Sequence, residues 1–175
     1  LWIGTDNGIS VYNGRNITNL KLNPKQESKF VYKIFRDNGN NIWISYPGYG
    51  VLKYKDTKDT VPLSFNIENG LSTNFIFDII HFTEEELLLI TYGGGIIILN
   101  VKNGKTRRIS KEEGLYSSII LCVEKDNKGN FWFGSNDTTP FYIHESELKK
   151  PEFSSHAIKT IDGFADKTVW DINLH

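Results

Sequence analysis

The residues of this chain that could hold a metal or act as a nucleophile are four histidines and one cysteine, and their spacing argues against both uses. His81, His144, His156 and His175 have no histidine or cysteine three or four positions away, and Cys122 stands alone. Zinc needs ligands paired closely along the chain, so no metal is expected. A lone thiol cannot close an internal disulfide, which leaves the redox compartment open. A Gly-x-Ser-x-Gly elbow, a phosphate-cradling glycine loop and a His-Glu-x-x-His helix are all missing from the sequence, and with them the commonest hydrolase and nucleotide chemistries. Asp37-Asn38-Gly39-Asn40-Asn41 and Asp126-Asn127-Lys128-Gly129-Asn130 superficially match calcium loops. Calcium loops want oxygen ligands at alternate positions and a distant Glu, and Lys128 breaks that pattern, so both segments read as Gly-containing hairpin turns. What remains is a pair of carboxylates, Asp78 and Asp171, which could do acid-base work only if the fold brought them together.

The elements that would position them come from a repeat. Leu1-Trp2-Ile3-Gly4-Thr5 returns as Ile42-Trp43-Ile44-Ser45-Tyr46, Leu87-Leu88-Leu89-Ile90-Thr91 and Phe131-Trp132-Phe133-Gly134-Ser135, in steps of 41, 45 and 44 residues. That period is the size of a four-stranded propeller blade and too long for ankyrin or tetratricopeptide units. Trp2, Trp43 and Trp132 take a structural role, because a Leu in the same column replaces a packed indole far better than an exposed one. The fold class is therefore all-β, a single propeller segment over residues 1–175. Its four blades span about 1–22 (completed by 168–174), 30–66, 75–110 and 119–161, and no helix is required. Either the segment is an arc of a larger ring, or pairing of its termini closes a four-bladed one.

In each unit the first strand alternates at period 2. One face carries Phe30, Tyr32, Ile34; Phe75, Phe77, Ile79; Ile119, Leu121, Val123; and Thr168, Trp170, Ile172. This face is expected to be dry. The other brings Lys33, Asp78, Cys122 and Asp171 into one column near the axis, where an ion pair between Lys33 and Asp78 is favoured over catalysis. Leu71 and Leu115, in the loops between blades, are expected to plug the seams. The third unit replaces the Gly turn by Thr83-Glu84-Glu85-Glu86, so its turn should differ in shape.

With 20 basic and 21 acidic residues and no dense basic run, nucleic acid and anionic membrane are excluded as partners. The uncharged run Leu87 to Val101 is shorter than the ~20 residues of a membrane helix and is cut by three glycines. No cofactor is called for. The chain opens inside a repeat without a signal peptide, as expected of a piece of a longer polypeptide.

Leu-Trp-Ile-Gly-Thr-Asp-Asn-Gly-Ile, Asn-Gly-Leu-Ser-Thr-Asn and Asp-Asn-Lys-Gly-Asn-Phe-Trp-Phe-Gly-Ser resemble the two-component regulator propeller repeat, found in extracytoplasmic sensor regions of hybrid two-component histidine kinases. The likeness departs at Leu87 to Thr91, where Trp and Gly are both replaced. It implies a periplasmic signal receiver, often dimeric, whose remaining blades lie elsewhere in the parent chain and whose ligand is an oligosaccharide. It carries over no catalytic residue, and any kinase activity would reside outside this chain.

Together these readings place a carbohydrate on the rim built from second-to-third-strand and inter-blade loops. Tyr46, Tyr49, Tyr92 and Tyr116 would cover the apolar side of a sugar, while Asn136 and Asp137 bond its hydroxyls. The alternative is an interaction scaffold whose rim or open strand edge docks protein without a small ligand. A propeller lyase or hydrolase built on Asp78 and Asp171 is the weakest option, because only the fold, and no residue constellation, favours it.

Overall fold

The computed structural model describes residues 1–20, 30–55, 61–161, 163–164 and 168–174. The expected end of the first unit at residue 22, His175, and residues 56–60 of the second unit lie outside them.

Short β-prone runs bounded by Gly, Asn and Asp fold as hairpins, and four antiparallel sheets result. The first holds β1 (Trp2–Thr5), β2 (Gly8–Tyr12) and β3 (Ile17–Asn19). The second holds β4 (Lys33–Arg36), β5 (Ile42–Tyr46), β6 (Gly50–Tyr54) and β7 (Leu63–Phe65). The third holds β8 (Ile76–His81), β9 (Glu86–Thr91), β10 (Ile96–Asn100) and β11 (Thr106–Ile109). The fourth holds β12 (Ile120–Lys125), β13 (Asn130–Ser135), β14 (Phe141–His144) and β15 (Ile158–Thr160). Strands follow chain order within every sheet. The first strands β4, β8 and β12 neighbour one another across sheets, so the sheets radiate from a common inner side.

Each seam between sheets is a separate core. Ile9 and Val11 meet Ile42, Ile44 and Tyr54; Trp43, Val51 and Phe65 meet Ile79, Leu87, Leu89 and Leu99; Leu88, Ile90, Ile96 and Ile98 meet Phe131, Phe133 and Phe141. The third sheet explains why its strands read as unbroken apolar runs. Leu87 and Leu89 face the second blade while Leu88 and Ile90 face the fourth, so neither side meets water. Leu71 and Leu115 plug their seams as expected.

Gly50 and Gly95 occupy the same place at the start of the third strand, both with positive φ. A Cβ there would strike the carbonyl oxygen of Phe65 or Ile109, so the turn into the third strand admits no side chain.

Three expectations need correction. The fourth unit does contain a helix, α1 (Glu145–Leu148), inserted between β14 and β15, because Leu148 finds an apolar site in the core and His144 caps the first turn. The first sheet has three strands among the described residues, and among the same residues the hydrogen bonds between 168–174 and a sheet run to the fourth: Val169 N donates to Ser135 O, and Cys122 Sγ lies 3.8 Å from Val169 O. Val31 N meets Thr5 O in the same way at the first seam, so 168–174 occupies the place of a next first strand beside the fourth blade.

The dry face of the first strands is the third correction. Phe30, Tyr32 and Phe75 are 47%, 38% and 46% exposed, and Trp170 is exposed as well. Register shifts between Ile76 and Asp78 and between Ile120 and Cys122 insert one extra residue, Phe77 or Leu121, into β8 and β12. A bulge changes the phase of alternation, so Ile76 and Ile79 are both buried although three positions apart.

Candidate functional site

Of the three indoles in the repeat column, two are held by one repeated device that the sequence pattern did not disclose. Trp43 Nε1 donates to Asp37 Oδ2 at 2.8 Å, and Trp132 Nε1 to Asp126 Oδ2 at 2.9 Å. Asn41 and Asn130 supply backbone and side-chain donors to the same carboxylates. The signal was available: Asp stands six residues before Trp in both units, and in the third, where Leu88 replaces Trp, Phe82 replaces Asp. These carboxylates therefore serve the turn and the indole. Burial alone would raise their pKa values, but the converging N–H donors outweigh it and hold Asp37 and Asp126 below the ordinary 3.8. A folded pKa depressed in this way gives stability that is complete above the unfolded value and drains as pH falls through the folded one. An acid titration of the intact propeller should therefore lose stability below about pH 4, and Trp132→Phe should blunt that loss, as a chemical-denaturation series at pH 2 to 5 would register.

The axial column is structural. Lys33 Nζ lies 2.6 Å from Asp78 Oδ1, which also accepts from Ile79 N, while Asp78 Oδ2 accepts from Val123 N at 3.1 Å. One carboxylate thus joins three consecutive blades. Asp171 is exposed and spends Oδ1 on Ile172 N. Cys122 is buried, and burial pushes its thiol up to about 12, so at neutral pH it carries almost no thiolate. Native protein at pH 8 should resist iodoacetamide at this position and react only after denaturation; rapid native labelling read by mass spectrometry would contradict this. Among the described residues no group of three His, Cys, Asp or Glu could hold a metal ion.

The proposed ligand residues separate on inspection. Tyr46 is fully buried between the first and second blades, its hydroxyl without a hydrogen-bond partner and its pKa raised by burial, so the expectation of a stacking surface there is corrected. It ends a strand buried on both faces, where a ring goes inward whichever way it points. Tyr49 is half-buried against the same core. Asp137 is tied to buried Ser117 and to Lys111 at 3.5 Å, and it braces a loop. Asn136 is exposed but accepts from Thr168 Oγ1 at 3.2 Å. Tyr92 and Tyr116 do reach solvent, at 48% and 44% exposure.

Tyr92 belongs to a larger array. Its ring stacks on Phe77 at 5.9 Å, Phe77 on Tyr32 at 4.6 Å, and Tyr32 meets Phe30 edge-on at 5.4 Å. Phe75 lies beside it, its ring 4.0 Å from the Cβ position of Gly48. This aromatic ladder crosses the second and third blades on the rim formed by second-to-third-strand and inter-blade loops. Tyr92 N donates to Phe75 O, and Gly50 N to Asn74 O, which fixes those loops together. Sequence reasoning assigned Phe30, Tyr32, Phe75 and Phe77 to the buried face. The bulge in β8 leaves Phe77 half-exposed, and the open inner side leaves Phe30, Tyr32 and Phe75 exposed.

Antiparallel four-stranded sheets radiating from one side, each useful only when stacked on the next, define a β-propeller segment. No protein-family model matches the chain, and no curated protein does. Solved structures do. The extracellular domain of BT4673 from B. thetaiotaomicron, described once as a one-component and once as a hybrid two-component system, matches at TM-scores of 0.73 and 0.72 with 18% and 21% identity, over 99% and 94% of this chain and 25% and 23% of that one. The extracellular domain of the hybrid two-component system BT3049 from the same organism matches at 0.70 with 17% identity, over 91% of this chain and 22% of that one. At these identities the likeness establishes the fold, and the chain spans about a quarter of each of those structures. No described helix is long and apolar enough to cross a membrane.

Proposed function

We propose that this chain is part of the extracytoplasmic, ligand-receiving propeller of a hybrid two-component sensor, that it acts in the periplasm, and that it responds to an oligosaccharide. The observation that carries the reading is the aromatic ladder on one rim. Contiguous exposed apolar surface of this kind marks a binding site, and rings suit the apolar faces of sugars. Tyr92 and Phe77 are the rings that touch ligand, with Tyr116 and Asn136 on neighbouring loops. The fold shared with extracellular domains of two-component systems supports the sensor role, and nothing in the chain asks for catalysis. The remaining blades of the parent, and a homodimer of it, are the partners this reading implies.

Calorimetry of the full parent ectodomain against a glycan panel tests it. One glycan family should bind, with Tyr92→Ala and Phe77→Ala each weakening it about tenfold, roughly 1.4 kcal/mol. Absence of binding to every glycan, or binding indifferent to both substitutions, would sink the proposal.

A further inference from the structure

Five Asn-Gly pairs, beginning at Asn7, Asn13, Asn38, Asn69 and Asn103, share one covalent hazard. Glycine carries no Cβ to hinder its backbone nitrogen, which can attack the side-chain amide carbon of the preceding asparagine. The attack requires that the glycine N–H and the asparagine amide both be free of other bonds.

Four of the pairs are held. Gly8 is buried and faces Thr5 in the β1–β2 ladder; hydrogen-bonded pairs alternate there from Leu1 and Tyr12 onward, so Gly8 N–H goes to Thr5 O. Asn13 Oδ1 accepts from Arg15 N and Asn16 N, at 2.9 and 2.8 Å. Asn69 accepts from Asn66 N at 2.7 Å and donates to Ser64 O at 2.6 Å. Asn103 Oδ1 accepts from Lys105 N, and Gly104 N donates to Asn100 O, both at 2.9 Å.

Asn38-Gly39 is the exception. Both residues are exposed, and among the described residues neither the Asn38 amide nor Gly39 N–H has a hydrogen-bond partner. The pair borders a cleft whose far wall is His81, Glu84 and Glu86 of the third blade, so the neighbouring blade is in place and still leaves it open. The fourth blade supplies the comparison. Its turn Asp126 to Asn130 matches Asp37 to Asn41 position by position, with Gly129 at φ 83° where Asn40 has φ 62°. Lys128 therefore stands where Gly39 does, and its N–H is held by Asp126 Oδ1 at 2.9 Å. Gly39 has no positive φ, so the turn itself does not require glycine there.

We propose that Asn38 is a site of spontaneous deamidation in the folded protein. Gly39 N attacks Asn38 Cγ; the new C–N bond forms as Cγ–Nδ2 breaks, and ammonia leaves with the amide proton. Water then opens the succinimide, at Cγ to give aspartate or at the backbone carbonyl to give isoaspartate. The isoaspartate route adds one methylene to the loop that Asn40 N closes on Asp37 O at 3.0 Å. Asp37 also accepts from Asn41 N and fixes Trp43, so the modification loosens the lock on the seam between the second and third blades. This inference does not depend on the sugar-binding reading.

Peptide mass spectrometry of the full parent ectodomain, incubated at about pH 8 with and without denaturant, tests it. Without denaturant, Asn38 should convert about tenfold faster than each of the other four, whose protecting bonds must first break. In denaturant all five should convert at similar rates. Gly39→Lys, which copies the fourth blade, should slow conversion at Asn38 in the folded protein by about tenfold or more. Hydrogen exchange at the Asn41 amide should be faster in the isoaspartate fraction than in fresh protein. Conversion at Asn38 no faster than at the other four in the folded protein overturns the proposal. So does conversion indifferent to Gly39→Lys in a variant with unchanged circular dichroism, or an Asn41 amide equally protected before and after conversion.

Discussion

Trp43→Ala should cost the second and third blades about 3 to 5 kcal/mol, the range for removing a large buried aromatic ring. Trp43 is fully buried, packs on Phe65 at 5.2 Å, carries the Lys53 ammonium over its ring at 5.1 Å, and faces Ile79 and Leu87 across the seam. Loss of the indole leaves a cavity shared by two sheets. It also strips a donor from Asp37, itself buried. Trp43→Phe separates the effects: most of the packing stays, the N–H is lost, and the cost should fall to about 1 to 3 kcal/mol. Hydrogen exchange of the β5 amides in the intact propeller measures both. A cost under about 1 kcal/mol for Trp43→Ala would mean the indole does not anchor the seam.

Asp78→Ala should cost about 2 to 3 kcal/mol, less than the indole but spread over three blades. The ion pair itself contributes modestly, because Lys33 keeps 38% of its side chain in solvent. The larger loss is Val123 N, a buried donor whose acceptor disappears. Asp78→Asn keeps an acceptor for that N–H and gives up only the charge, so it should cost about 1 kcal/mol. Exchange of the Val123 amide decides between them. It should accelerate sharply in the alanine variant and stay protected in the asparagine variant; equal protection in both would place the stabilisation elsewhere.

Some of the candidate sites were legible and others were not, for identifiable reasons. Tyr92 and Tyr116 were readable as rim residues because Tyr92 directly precedes Gly93 and Tyr116 follows Gly114 by two residues, each in a loop of fixed place in the repeat. Tyr46 was misread: it ends a strand buried on both faces, and nothing local distinguishes a ring directed into a seam from one directed outward. Asp137 offers a carboxylate that looks free until Ser117, twenty positions away, folds beneath it. The Asp-to-Trp bond left a signal in the spacing, six residues in two units and doubly absent in the third. The insertion around α1 left no signal in the strand pattern, which requires no helix.

By itself, the sequence determined the period, the four-strand grammar, the seam residues and the pairing of Lys33 with Asp78. Each of these follows from side-chain alternation and a repeat that copies its own environment. Tertiary structure alone decided which rings of the first strands stay wet, where residues 168–174 dock, and that a helix is inserted between β14 and β15. A one-residue bulge reverses the faces of everything on one side of it, and the exposure of an inner strand depends on neighbours that no local pattern encodes.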